Sequence, residues 1–111
     1  MSMNMEGRAV EFRVKVGATA TLVLTTGINC SNNVTFSTGK WKVWKPDGTL
    51  LIDGNIVYTT RSTGVISYTL TSTDTAAANA GNWSGEVELL NSSGGISEQT
   101  KTFNFTIEES Y

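Results

Sequence analysis

Along most of this chain apolar and polar residues alternate with a period of two, which is the period of half-buried strands and not of helices. The cleanest instance is 10–16, where Val10, Phe12, Val14 and Val16 interleave with Glu11, Arg13 and Lys15. Gly17 ends it. A second strand is predicted over 19–26, with Ala20, Leu22 and Leu24 inward and Thr21, Val23 and Thr25 outward, since Thr-rich faces suit a pleated surface. The polar stretch 27–38 reads as a loop that includes a candidate short strand at Val34-Thr35-Phe36. The central strand is 40–45, with Trp41 and Val43 on one phase and Lys40 and Lys42 on the other. Pro46-Asp47-Gly48 stops it, because Pro fixes φ and Gly permits a positive φ.

An edge strand is expected at 49–52, closed by Asp53-Gly54 as a hairpin signal. The pair 55–60 and 65–70 follows, divided by 61–64, with Ile66, Tyr68 and Leu70 sharing a face. Residues 71–80 break the alternation. Ala76, Ala77 and Ala78 favour a helical turn, capped by Thr73 or Asp74, as a crossover between sheets. In the next strand Trp83, Gly85, Val87 and Leu89 alternate with Asn82, Ser84, Glu86 and Glu88. A hairpin loop at 91–95 leads to a last strand over about 96–108, with Phe103, Phe105 and Ile107 inward. Trp41, Trp83, Phe103 and Phe105 all fall on inward phases and are assigned to the core.

The predicted architecture is all-β, an immunoglobulin-like β-sandwich of seven or eight antiparallel strands, with a small β-barrel as the competing arrangement. A chain of 111 residues is one domain. Residues 1–8 show no periodicity and are assigned to a flexible N-terminal arm, and 9–111 to the sandwich. Cys30 is the only cysteine, so no intrachain disulfide braces the domain.

Composition narrows the function classes. The net charge is −2, with no cluster of Lys and Arg of the kind that binds nucleic acid or an anionic membrane. The start, Met1-Ser2-Met3-Asn4-Met5-Glu6-Gly7, lacks the apolar core of a secretory signal. No apolar run reaches the length of a membrane span. The polar surface is built of Ser, Thr and Asn, and the Asn-x-Ser/Thr triplets at Asn29, Asn33, Asn82, Asn91 and Asn104 read as a product of that composition, not as glycan sites.

With no histidine in the chain, neither a Ser-His-Asp nor a Cys-His arrangement exists. Asp47, Asp53 and Asp74 fall in predicted turns or caps and are not spaced to cluster oxygens around calcium. Glu86 and Glu88 share a face, which is the one feature that a glycosidase would use. Cross-strand pairing with Lys40 and Lys42 is the simpler reading. No enzyme activity, cofactor or metal is predicted. The aromatic left over is Trp44, out of phase with Trp41, so either a bulge turns it inward or it faces outward. Trp44, Lys45 and Tyr58 form the candidate interaction surface, as an interface anchor or a sugar-stacking platform.

The order of pieces carries a resemblance. Trp41-x-Val43-x-x-Pro46-Asp47-Gly48-Thr49 is followed by Gly64-Val65-Ile66-Ser67-Tyr68-Thr69-Leu70, then by the run from Ala80 and Gly81 through Trp83 to Leu89. Next come a Gly-Gly hairpin and the run from Glu98 to Ile107 that holds Phe103 and Phe105. Over roughly 10–108 this resembles the immunoglobulin-like domain at the N-terminus of upper baseplate proteins of phages, and more broadly the Ig-like modules of tailed-phage virions. The resemblance implies a non-enzymatic structural or assembly protein of a phage or phage-like virion, made in the host cytoplasm. Its implied partners are further copies of itself or another virion protein. A carbohydrate- or receptor-binding adhesin that meets a host-surface glycan is the alternative. In that family the domain leads a longer chain with a receptor-facing module. Here the sequence stops at Tyr111, directly after the last strand, so no receptor-binding head of its own is expected if this is the whole protein.

Overall fold

The computed structural model describes residues 2–4, 11–100 and 102–109. The rest of the arm expected at 1–8 lies outside them, while Ser2–Asn4 forms a short strand, β1. The other strands are β2 (Glu11–Lys15), β3 (Thr21–Thr25), β4 (Thr38–Trp44), β5 (Leu50–Asn55) and β6 (Val57–Thr60). They continue as β7 (Val65–Thr69), β8 (Gly81–Leu90), β9 (Ile96–Gln99) and β10 (Phe103–Glu108). Single 3-10 turns occupy Arg61–Thr63 and Ala77–Asn79. The predicted all-β sandwich is what the chain forms.

One sheet has the order β1-β3-β7-β6, and the other β2-β10-β8-β4-β5 with β9 also paired to β8. Most pairings are antiparallel, and among the described residues β1–β3 and β10–β2 are parallel. The inward phases read from the sequence meet between the sheets. Phe12, Leu22, Leu24, Trp41, Val43, Ile66, Val87, Leu89 and Phe105 are all fully buried there. Trp41 sits at the centre, edge-on to Phe12 at 5.2 Å between ring centroids, stacked on Tyr68 at 5.9 Å and tilted against Phe103 at 5.1 Å. Such offset and edge contacts suit ring quadrupoles and add to the burial term.

Several local expectations are corrected. Asp53-Gly54 is not a hairpin: both residues lie within β5, and the chain changes sheet at Ile56, whose N–H donates to the Gly39 carbonyl at 3.1 Å. A Cβ at Gly54 would collide with the Tyr68 ring, so glycine serves close approach here and not a turn. Val34-Thr35-Phe36 forms a turn and no strand, because the Asn32 Oδ1 accepts from the N–H groups of Val34 and Thr35 at 2.9 and 3.2 Å. Such local side-chain bonds compete with a ladder. Nor do Thr73 and Asp74 cap the 3-10 turn, whose N-cap is Ala76 with no side-chain bond. Asp74 instead exchanges hydrogen bonds with Thr71 and accepts from the Tyr68 hydroxyl at 2.7 Å.

The single last strand is broken. β9 and β10 share one edge of β8, at 88–90 and 81–85 of that strand respectively. Between them Thr100 stands in: its N–H donates to the Val87 carbonyl at 2.9 Å and its Oγ1 accepts from the Val87 N–H at 2.8 Å. Trp83, assigned to the core, is only half-buried, packed against the core from the rim with its indole N–H donating to the Asn79 carbonyl at 2.8 Å.

Candidate functional site

The outer faces of the two sheets differ in chemistry. On the five-strand path the outward positions carry charge. Lys40 faces Glu88 and Lys42 faces Glu86 in the β4–β8 register, with a diagonal ion pair from Lys42 Nζ to Glu88 Oε1 at 3.1 Å. Arg13 bridges Glu11 and Glu108, both at 2.7 Å, and Lys15 reaches Glu108 at 3.1 Å. These donors hold the Glu108 carboxyl below its ordinary range. Neighbouring positive charge favours the ionised form.

Glu86 and Glu88 therefore lie where cross-strand pairing with lysine placed them. The Gln99 amide donates to both, at 3.3 Å each. Partial burial first, and the charge of Glu88 second, raise the Glu86 carboxyl, against the pull of Lys42. A raised carboxyl is a feature of catalytic acids. Here Lys42 pairs with Glu88 and the Gln99 amide donates to both carboxylates, which is the arrangement of a cross-strand ion-pair network.

The three residues assigned to an interaction surface occupy three places. Trp44 faces outward. The β4–β8 register runs unshifted to Trp44 opposite Ser84, and the irregularity lies in the β5 partner, where Val43 meets Ile52 and Trp44 meets Leu50, leaving Leu51 extra. Half-buried Trp44 thus lies between Leu50, which is 42% exposed, and exposed Ser84. Lys45 has the opposite phase: its Nζ sits over the Trp83 ring, 5.7 Å from the centroid, and closes the rim of the core. This cation–π contact leaves the ammonium in water and covers the indole.

Tyr58 is in β6, on the edge of the other sheet, and its hydroxyl donates to the Thr38 carbonyl at 2.8 Å. Thr38 and Trp44 are the two ends of β4, so Tyr58 and Trp44 stand on the order of 20 Å apart at the rise of a strand. The chain does not gather the three into one platform.

Sequence reasoning missed Arg61. The guanidinium stacks on the Tyr58 ring, 4.2 Å from the centroid. One of its nitrogens donates to the carbonyls of Cys30 at 3.1 Å and Phe36 at 2.7 Å. The Cys30 N–H donates back to the Arg61 carbonyl at 2.7 Å. Loop 26–37 is thus tied to the 3-10 turn, and Ser92 N–H to Val34 carbonyl at 2.9 Å ties it to the 91–95 loop as well. Cys30 is fully buried under this clamp, and burial pushes its thiol up, against the pull of Arg61, which is the direction that disfavours a thiolate. Only the fold brings Arg61 to residues 25 and 31 positions away. No local signal marks it.

Among the described residues no group of three or more His, Cys, Asp or Glu side chains is placed to hold a metal ion. No helix of the described residues is long and apolar enough to cross a membrane.

No protein-family model and no curated protein matches this chain. Solved structures do. The crystal structure of CopC from Methylosinus trichosporium OB3b is similar at TM-score 0.55 and 15% identity, over 90% of this chain and 87% of that one. The N-terminal domain of phage TP901-1 ORF48 is similar at TM-score 0.67 and 12% identity, over 96% of this chain and 94% of that one. At such identities the likeness is one of fold, and at that level the resemblance read from the sequence is met: the chain has the sandwich of an N-terminal domain from a phage protein.

Proposed function

We propose that this chain is a non-enzymatic structural module of a phage or phage-like virion that acts through protein–protein contacts in an assembly. The observation that carries the reading is the near end-to-end match of its sandwich to a phage domain, with 96% of one chain laid on 94% of the other. The surface chemistry supports it. The carboxylates that share a face are engaged by lysine and amide partners, and loop 26–37 is tied to Arg61 by two hydrogen bonds. Rigid surfaces suit assembly, because little conformational entropy is lost on contact. In this reading the chain is made in the host cytoplasm, ends in the particle, and uses neither nucleic acid nor a membrane.

The test is quantitative mass spectrometry of density-purified particles from the phage or prophage that encodes the chain. A fixed stoichiometry to the other tail proteins is expected. Particles complete and infectious without the chain would overturn the reading.

A second reading, an adhesin for host-surface glycans, is favoured by one observation: Trp44 faces outward beside Leu50 and Ser84. An indole flanked by a hydroxyl suits the apolar face and edge of a sugar ring. Binding of the chain to host cell-wall fragments that survives Trp44→Ala unchanged would remove it.

A further inference from the structure

Two of the Asn-x-Ser/Thr triplets meet in the fold. Asn82-Trp83-Ser84 lies in β8 and Asn104-Phe105-Thr106 in β10, and their antiparallel register sets Asn104 opposite Ser84 and Thr106 opposite Asn82. The period of two turns the middle residues toward the core, with Phe105 fully buried, and sends the four amide and hydroxyl side chains to the outer face. The Thr106 hydroxyl donates to the Asn82 Oδ1 at 2.9 Å. The exposed Ser84 hydroxyl and Asn104 amide have no hydrogen-bond partner among the described residues.

The register extends this square into a row. Ser84 faces Trp44 on β4, and Trp44 faces Leu50 on β5. One outward line across four strands thus holds Leu50, Trp44, Ser84 and Asn104. We infer that this row is a binding strip for an uncharged oligosaccharide of hexopyranose rings, with one ring on the Trp44 indole and the next over Ser84 and Asn104. The inference rests on the glycan reading of Trp44 given above and names its subsites and ligand class.

The spacing fits. Neighbouring strands lie about 4.8 Å apart, so Trp44 to Asn104 is about 10 Å, the reach of a disaccharide laid across the strands. The chemistry fits as well. A pyranose ring with equatorial hydroxyls has apolar C–H faces and a rim of hydroxyls that both donate and accept. An indole takes the face. An amide, with donors and an acceptor side by side, takes a neighbouring pair of rim hydroxyls, and a serine hydroxyl rotates to suit either role.

Other occupants match only part of the row. An apolar protein knob would cover Trp44 and Leu50 but strip water from Ser84 and Asn104 without replacing it. A charged ligand meets flanking groups that are already engaged. Glu11, which continues the row on β2, pairs with Arg13 at 2.7 Å, and Lys42 pairs with Glu88 at 3.1 Å. The strip is open and shallow, so a single copy binds in the range of about 0.1–10 mM, and repetition in an assembly multiplies the effect.

The test is a titration of the nitrogen-15-labelled full chain with cellotriose, maltotriose, mannotriose and N-acetylated chitotriose, each to about 20 mM. Proton–nitrogen spectra read the Trp44 indole N–H and the Asn104 side-chain amide directly. Saturable shifts of both signals, with one dissociation constant, are expected for at least one of the four. Trp44→Ala and Asn104→Ala should each raise that constant at least about fivefold. Val57→Ala, on the other sheet, should leave it unchanged. Far-UV circular dichroism establishes that each variant is folded.

No saturable shift with any of the four overturns the inference, as does an effect of Val57→Ala equal to that of the row variants. Binding that moves the Trp44 indole but ignores Asn104→Ala sinks the strip and leaves the glycan reading standing. So does binding of host cell-wall fragments through Trp44 when all four trisaccharides fail. Failure of both kinds of ligand removes the glycan reading too.

Discussion

Trp41 offers the sharpest test of what holds the sandwich together. Its side chain is fully buried among Phe12, Tyr68 and Phe103. Its indole N–H has no hydrogen-bond partner among the described residues. A buried donor without an acceptor costs about 1–3 kcal/mol. Trp41→Phe removes that donor and keeps an aromatic ring. The loss of the remaining pyrrole atoms costs a transfer and cavity term of about 1–2 kcal/mol. The two terms oppose, so the variant should lie within about 1.5 kcal/mol of the parent. Trp41→Ala removes the donor too, but its far larger cavity outweighs that gain and should cost about 3–5 kcal/mol.

Urea unfolding followed by far-UV circular dichroism separates the two. With a slope near 1.5 kcal/mol per molar, Ala lowers the midpoint by roughly 2–3 M and Phe by less than about 1 M. A Phe variant destabilised by more than about 3 kcal/mol would refute the reasoning, and would mean that the N–H is held by one of the facing ring planes, a weak but real acceptor.

Three further outcomes follow from the contacts. Gly54→Ala pushes a methyl group into the Tyr68 ring, and should cost about 1–3 kcal/mol by overpacking, read as a fall in thermal midpoint; an unchanged midpoint would mean that the ring moves freely. Arg61→Ala strips the donor from two carbonyls and should cost about 2–3 kcal/mol, with faster amide exchange in 26–37, and Arg61→Lys should not restore it because a point ammonium cannot both stack and fork. Glu108 is held below its unfolded value by Arg13 and Lys15, so its contribution is present above the unfolded carboxyl range and is lost as pH falls through its folded value. Glu108→Gln should therefore flatten the acid limb of stability between about pH 5 and 3, and an acid limb identical to the parent's would contradict the pairing.

What the sequence by itself determined is the layout of faces. A period of two places Phe12, Leu22, Trp41, Val87 and Phe105 on one side of their strands before any contact is known, since side-chain direction is set by backbone geometry alone. Turn chemistry was as legible: Pro46-Asp47-Gly48 and 91–95 end strands where expected, the latter because the Asn91 Oδ1 accepts from Ser93 and Gly95 N–H groups at 3.0 Å each. Cross-strand pairing of Lys40 and Lys42 with Glu86 and Glu88 was equally within reach, because alternation puts all four outward.

Tertiary structure alone decided the rest, wherever one residue type serves two local purposes. Gly54 offered the same local cue as a turn glycine, and only the Tyr68 ring arriving from β7 makes it a residue of close approach. Asn32 won 33–36 from a strand-forming trio by a side-chain bond. Trp44 could face either way until the register put the extra residue in β5. The Arg61 clamp joins positions up to 31 apart in the chain, and Val23, Ser67 and Val57, from three strands, become one row only in the folded sheet. Periodicity reports which way a side chain points. Which other strand it then meets is set by the order of strands in the sheets, and that order is written in no short stretch of the chain.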